Sequence, residues 1–359
     1  MNTVLIVGGS GFLGQHLIQK FHELSPRPEI HVFDIRPVQP VSQTFFSYDT
    51  DKDIVFHQGD LTNRDDVLRA IDAAKPDAIV TCASPVHGLG KAIYEKVNVQ
   101  GNKVLLEAAR LRFDESKGKI GRAFIYTSSA SAVSDGSPLI NADETFPVLD
   151  DHKDDYADTK AVAEKMILAA NDPESGFLTV ALRPAGIFGP GDRQMIPGFL
   201  DAAATGKQNF QLGNDDNLFD YTYVGNVAYS HVLAAEKLLD PKHAANVAGE
   251  AFFITNGTPI YFWAMPRMIW KKSGYEVDLA KRTKLATPVA LFLSSIVAGV
   301  CKPFGIVPNF SPFKVRICSS PRYYDISKAR KYLGYEPQLD LPQAVDVTLK
   351  WINETKEKK

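Results

Sequence analysis

Apolar residues run unbroken through Val4-Leu-Ile-Val7 and then switch to helical spacing at Leu13, Leu17, Ile18 and Phe21. An apolar run bounded by turn residues reads as a buried strand, and residues three and four apart read as the inner face of a helix. The same change of period recurs down the first half of the chain. Strands are predicted at Glu29–Asp34, Ile54–His57, Ala78–Ala83, Ala123–Ser129 and Phe177–Leu182. Helices are predicted at Arg64–Ala74, about Ile93–Leu111, and from Tyr156 to Ala170. Alternation this regular predicts an α/β fold built on a doubly wound parallel sheet. From about residue 194 the segments become irregular and rich in aromatics, as in Asn217–Val224 and Tyr261–Trp263. This points to a smaller mixed α/β part forming the lid and wall of an apolar pocket.

The first strand ends in Gly8-Gly-Ser-Gly11-Phe12-Leu13-Gly14. The spacing fits glycine patterns starting at either Gly8 or Gly9. A turn of this kind lets backbone approach a pyrophosphate, and the free N–H groups at the helix start then hold it. Asp34 ends the second strand about twenty residues on, where a carboxylate bonds a ribose hydroxyl. The architecture is therefore of the Rossmann type, with residues 1–193 as the dinucleotide-binding domain. Segments near 218–256 complete its sheet, and 194–359 form mainly the substrate-binding part. Asp34 favours NAD because a carboxylate repels a 2′-phosphate, while Arg36 keeps NADP open. Asp60, past the third strand, either bonds the adenine or caps the helix Arg64–Ala74. Phe12, Leu13, Leu61, Ala83, Ser84 and Pro184 complete the residues expected to face the cofactor.

Composition narrows the class. A chain of 359 residues, 45% hydrophobic and 23% charged, supports one elaborated α/β domain with a large core. A net charge of −2 gives no reason to expect nucleic acid. Three widely spaced cysteines, Cys82, Cys301 and Cys318, suit a reducing compartment and match no metal pattern. The N-terminus enters a strand at once, so it is not read as a secretory signal.

The chemistry rests on Ser129, Tyr156 and Lys160. Tyr156 and Lys160 are four apart where a helix begins, so they share a face. An ammonium group nearby favours the phenolate, which then takes a proton from an alcohol as hydride leaves the same carbon. Ser129, at a strand end, can hold the substrate oxygen. Tyr-x-x-x-Lys alone is common by chance; its weight comes from the glycine turn and the strand-end serine in this order.

These residues, with Tyr126-Thr-Ser-Ser129, Arg183-Pro184 and Asp220-x-x-Tyr223-Val-x-Asn226-Val227, show that the chain resembles the extended short-chain dehydrogenases/reductases of the 3β-hydroxysteroid dehydrogenase family. Cys82–Gly88, Ala181–Arg193 and Phe252–Asn256 carry a closer resemblance to members acting on sterols with a 4α-carboxylate. The resemblance implies NAD-dependent oxidation of a sterol 3β-hydroxyl with loss of carbon dioxide, in ergosterol synthesis. It further implies a homodimer, a place on the cytosolic face of the endoplasmic reticulum membrane, and the other sterol C4-demethylation enzymes as partners. The alternatives are a non-decarboxylating 3β-hydroxysteroid dehydrogenase, a nucleotide-sugar epimerase or ketone reductase of the same superfamily, and a non-catalytic dinucleotide sensor.

A substrate carboxylate in an apolar pocket needs a partner, and His87 and Arg193 are the candidates because both follow strand ends. The most apolar stretch is 285–307. As a helix, Leu285–Val300 reaches about 24 Å, short of the roughly 30 Å hydrocarbon core. A peripheral or monotopic contact beside the pocket mouth is expected, flanked by Trp263 and Trp270.

Overall fold

The computed structural model describes residues 1–39, 45–86, 88–150, 152, 154–301, 308 and 310–357. Seven strands form the central sheet: β1 (Thr3–Val7), β2 (Glu29–Asp34), β3 (Ile54–Gln58), β4 (Ala78–Thr81), β5 (Ala123–Thr127), β6 (Leu178–Pro184) and β7 (Glu250–Ile254). They lie in the order β7-β6-β5-β4-β1-β2-β3. Every pairing is parallel, with Val4 of β1 opposite Ile30 on one side and Ala78 on the other.

The unbroken apolar runs follow from burial on both faces. Val4 and Ile6 of β1 point into one core, and Leu5 and Val7 into the other. Helices α1 (Phe12–His22) and α5 (Val224–Leu239) cover the first face. Helices α2 (Arg64–Ala74), α3 (91–115) and α4 (Asp155–Ala169) cover the second. Within α3, Glu95–Gly101 is a π-helical stretch between α-helical Lys91–Tyr94 and Asn102–Glu115. Asn63, not Asp60, caps α2: its side chain accepts from Asp65 N and Asp66 N at 3.0 and 3.4 Å. Asp154 caps α4 through Ala157 N. The order of strands reverses between β1 and β4, so the cleft opens at their carboxyl ends.

A second, four-stranded sheet stands over that cleft, in the order Ile260–Tyr261, Leu218–Phe219, Arg322–Tyr324, Leu139–Ala142. Residues from both sides of position 193 build both sheets. A third core, containing Phe188, Tyr221, Phe262, Ile269, Val345 and Leu349, supports the small sheet. Trp270 is buried: it is 2% exposed and its Nε1 donates to Phe199 O. It therefore does not stand at a membrane interface, and Trp263, half-buried and bonded to Leu212 O, is held inward too.

The apolar stretch forms a helix at Thr287–Cys301 that packs on the helix Pro312–Ser319. Ala290 and Ser294 are buried there, while Val289, Phe292, Leu293, Ile296, Val297 and Val300 are exposed. Residues 302–307 of that stretch lie outside the described residues. Among the described residues, no helix is long and apolar enough to cross a membrane.

Candidate active site

The glycine turn is dictated by contact. Gly8 has φ +86°, and a Cβ there would lie 2.6 Å from Ala83 N. A Cβ on Gly14 would lie 2.3 Å from Gly8 O, and one on Gly9 2.6 Å from Val32 Cγ1. Both readings of the glycine spacing are therefore met by packing: Gly8 and Gly14 close the turn, and Gly9 lets β2 approach. Gly11 sits at the N-terminus of α1, where no side chain caps the helix. The cradle suits a pyrophosphate, whose oxygens would take up the uncapped N–H groups.

One cavity of about 1380 Å³ runs from this turn to the small sheet. At its near end lie Asp34, Arg36, Asp60 and Leu61. Asp34 accepts from Ser10 N at 3.1 Å and Arg36 N at 3.3 Å, which aims its carboxylate at the turn. Asp60 bonds Thr62 N and Oγ1 and lies 3.7 Å from Lys96 Nζ. With α2 capped by Asn63, Asp60 is left on the cavity wall. Phe12, Leu13, Ala83, Ser84 and Pro184 line the middle.

Ser129, Tyr156 and Lys160 meet there as well. Ser129 Oγ accepts from Ser131 N at 3.2 Å and from Ser131 Oγ at 2.8 Å, so its own hydrogen is free to be donated inward. Lys160 is buried, with Nζ donating to Thr127 O at 2.8 Å and lying 5.9 Å from the Tyr156 ring centroid. Burial lowers its ammonium to about 8, so it is still mostly charged at neutral pH. Burial pushes the Tyr156 phenol up to about 12, with the nearby Ser84 and Ser129 hydroxyls acting against it. In the protein alone the phenol therefore keeps its proton at neutral pH.

Several supporting residues gave no local signal. Thr127 Oγ1 and His231 Nε2 are 2.7 Å apart, and His231 Nδ1 lies 2.7 Å from Val227 O. A carbonyl only accepts, so Nδ1 carries the proton and Nε2 accepts from Thr127. Burial lowers His231 to about 4, keeping it neutral. Asn98, in the π-helical stretch, donates to Thr159 Oγ1 at 3.0 Å, and Thr159 bonds Tyr156 O. The Tyr94 ring meets Tyr156 edge-on at 5.7 Å. Behind the sheet, Arg183 and Glu164 form a buried ion pair, with Nη2–Oε1 at 2.6 Å and Nε–Oε2 at 3.0 Å.

The far end of the cavity is walled by Phe219, Phe313, Ile317 and Tyr324, with Asp220, Arg193, Arg316 and Arg322 among them. Burial raises the Asp220 carboxyl to about 7. Arg193 is exposed; His87 lies outside the described residues.

Residues 5–287 match the 3-beta hydroxysteroid dehydrogenase/isomerase family. The sterol-4-alpha-carboxylate 3-dehydrogenase, decarboxylating, of Saccharomyces cerevisiae is 47% identical over 358 residues, covering 99% of each chain. The human protein of the same description is 34% identical over 96% of this chain and 86% of its own. Among solved structures, dTDP-glucose 4,6-dehydratase of Bacillus anthracis in complex with NAD superposes with TM-score 0.73 at 16% identity, over 99% of this chain and 98% of that one. UDP-glucose 4-epimerase of Thermotoga maritima gives 0.71 at 20% identity, over 99% and 100%. At these identities the two structures speak for the fold.

Proposed function

The chain belongs to the 3-beta hydroxysteroid dehydrogenase/isomerase family, and on that premise we propose that it oxidises the 3β-hydroxyl of a 4α-carboxysterol with NAD and releases the C4 carboxylate as carbon dioxide. The product is a 3-ketosterol of the ergosterol route. The observation that carries the reading is the convergence of Ser129, Tyr156 and Lys160 in one cavity, between a glycine cradle and an apolar, aromatic wall. The names of relatives that match end to end add to it.

When bound, NAD supplies the hydride acceptor. Gly8, Gly11 and Gly14 leave room for its pyrophosphate, and Asp34 offers a carboxylate to its ribose. Once it has lost its own proton, Tyr156 takes the proton of the substrate hydroxyl; Ser129 donates its hydrogen to the substrate oxygen, and Lys160 is the cation that favours the phenolate over the phenol. Thr127 O holds the lysine at that post. Oxidation at C3 leaves a β-keto acid. Its bond to the carboxylate breaks with the electron pair passing to the ketone, and Ser129 and Tyr156 then hold the enolate oxygen. Incubation with NAD and a 4α-carboxysterol should give NADH and a ketosterol that has lost carbon dioxide, in equal amounts. A ketone that keeps its carboxylate would leave a plain 3β-hydroxysteroid dehydrogenase; turnover of a UDP-sugar instead would make the protein an epimerase.

Asp34 is expected to favour NAD over NADP by about tenfold in kcat/KM, the equivalent of about 1.4 kcal/mol. The repulsion between its carboxylate and a 2′-phosphate supplies that difference. A preference for NADP would mean that Arg36 governs the ribose end.

The exposed apolar face of the helix Thr287–Cys301 is read as a contact with one leaflet of a membrane. What supports this is position: it packs on the helix Pro312–Ser319, whose Phe313, Arg316 and Ile317 line the cavity. A sterol entering there avoids water. The cytosolic face of the endoplasmic reticulum, beside the other enzymes of sterol C4 demethylation, fits this arrangement. Wild type should float with liposomes, and a variant with Phe292→Asp and Ile296→Asp should not; equal flotation of the two would rule this face out. The helices 91–115 and 155–169, which expose Ile93 and Val162, are read as the contact of a homodimer. A monomer mass by light scattering at micromolar protein would dismiss it.

A further inference from the structure

The substrate read above carries its carboxylate on the carbon next to the one oxidised. Whatever pairs with that carboxylate must stand beside Ser129 and Tyr156. We propose that Arg322 is this group, and that it makes the protein prefer carboxylated sterols to neutral ones. The inference rests on the proposed substrate.

Six cations line the cavity, and geometry separates them. Arg36 and Lys96 are at the end with Asp34 and Asp60, and Lys160 is committed to Thr127 O. Arg193, Arg316 and Arg322 remain, and among the described residues none of the three makes an ion pair. Arg193 and Arg316 are exposed, where water weakens a charge pair, whereas Arg322 is half-buried.

Arg322 is also the one tied to the chemistry. Its backbone is fixed on both sides, since Asp220 N donates to Arg322 O at 3.0 Å and Leu139 N to Pro321 O at 2.9 Å. Its guanidinium is close enough to the Tyr324 phenol to offset part of the rise that burial gives that phenol. That hydroxyl lies 3.4 Å from Ala130 O, on the residue directly after Ser129. Tyr324 is itself pinned, buried and stacked on Phe253 with centroids 4.6 Å apart. One phenol therefore separates the guanidinium from the backbone that positions Ser129. Asp220, at the end of the neighbouring strand, turns its Oδ2 to Tyr324 N at 2.8 Å and makes no ion pair with Arg322. A planar guanidinium that makes no ion pair among the described residues, in a wall that carries Phe219, Phe313 and Ile317, matches a carboxylate in a way a lysine would not.

The test compares a 4α-carboxysterol with the 4α-methyl sterol that lacks the carboxylate, on purified protein with NAD. Both kcat/KM and the dissociation constants of the cofactor-loaded protein are measured. Arg322→Gln should lose about 30- to 100-fold in kcat/KM on the carboxysterol, mostly through KM, and leave binding of the neutral sterol within about twofold. Arg322→Lys should restore part of the loss. Arg193→Gln and Arg316→Gln should keep the wild-type ratio. An unchanged ratio in Arg322→Gln overturns the proposal. Equal losses on both sterols do so too, since they mark a structural role. If the wild-type protein does not bind or turn over the carboxysterol, the substrate reading has failed, and this inference falls with it.

Discussion

Replacing Tyr156 by phenylalanine is expected to lower kcat on the sterol by about 10²–10⁴-fold while the affinity for NAD stays the same. The substitution removes one oxygen and leaves the ring, and with it the edge-on contact to Tyr94. Lys160 keeps its bond to Thr127 O, and the glycine cradle is untouched. What is lost is the proton acceptor beside Ser129. No other group serves: Lys160 is buried and bonded away, and Ser129 is a donor by virtue of its two bonds from Ser131. Cofactor binding followed by fluorescence, with turnover beside it, separates the two effects. Activity within a few-fold of wild type would take Tyr156 out of the proton transfer.

The largest loss of stability is expected from Glu164→Leu, at about 3–5 kcal/mol. Glu164 and Arg183 are 0% and 4% exposed, so removing the carboxylate strands a guanidinium in the core. The pair joins α4 to β6, and α4 carries both Tyr156 and Lys160. Activity should therefore fall at temperatures below the unfolding transition of wild type. The double variant Glu164→Leu with Arg183→Met should recover most of the stability, because a buried pair replaced whole by apolar groups is close to neutral. Chemical denaturation measures both. A single variant as stable as wild type would show that water reaches the guanidinium.

The strands of the central sheet and the shared helix face of Tyr156 and Lys160 were legible in the sequence because both are local. Strands buried on two faces are short apolar runs, and Tyr156 and Lys160 are one helical turn apart. What lay hidden depends on distance along the chain or on burial. Asp60 and Asn63 are equally good caps on paper, and only the path of the chain decides for Asn63. The four-stranded sheet pairs Leu139 with Arg322, far apart in sequence and without a shared pattern. Reading Lys160 as the group that sets the Tyr156 proton misses the opposing effect of burial, which only packing reveals. Composition places Trp270 at an interface, yet it is buried with its Nε1 on the carbonyl of Phe199. The π-helical stretch around Asn98 has no distinguishing composition. Arg322 lies in a short, ordinary strand and acquires its interest from Tyr324, two residues on, whose hydroxyl meets Ala130 O.

If the exposed face of the helix Thr287–Cys301 meets a leaflet as proposed, substrate concentration takes on another meaning for this protein. A catalyst fed through a mouth in a leaflet meets sterol diffusing in two dimensions, and it responds to the number of sterols per lipid rather than per litre. Added phospholipid would then act as a diluent though the volume of the assay has not changed. An apparent KM in moles per litre would describe the vesicles as much as the protein.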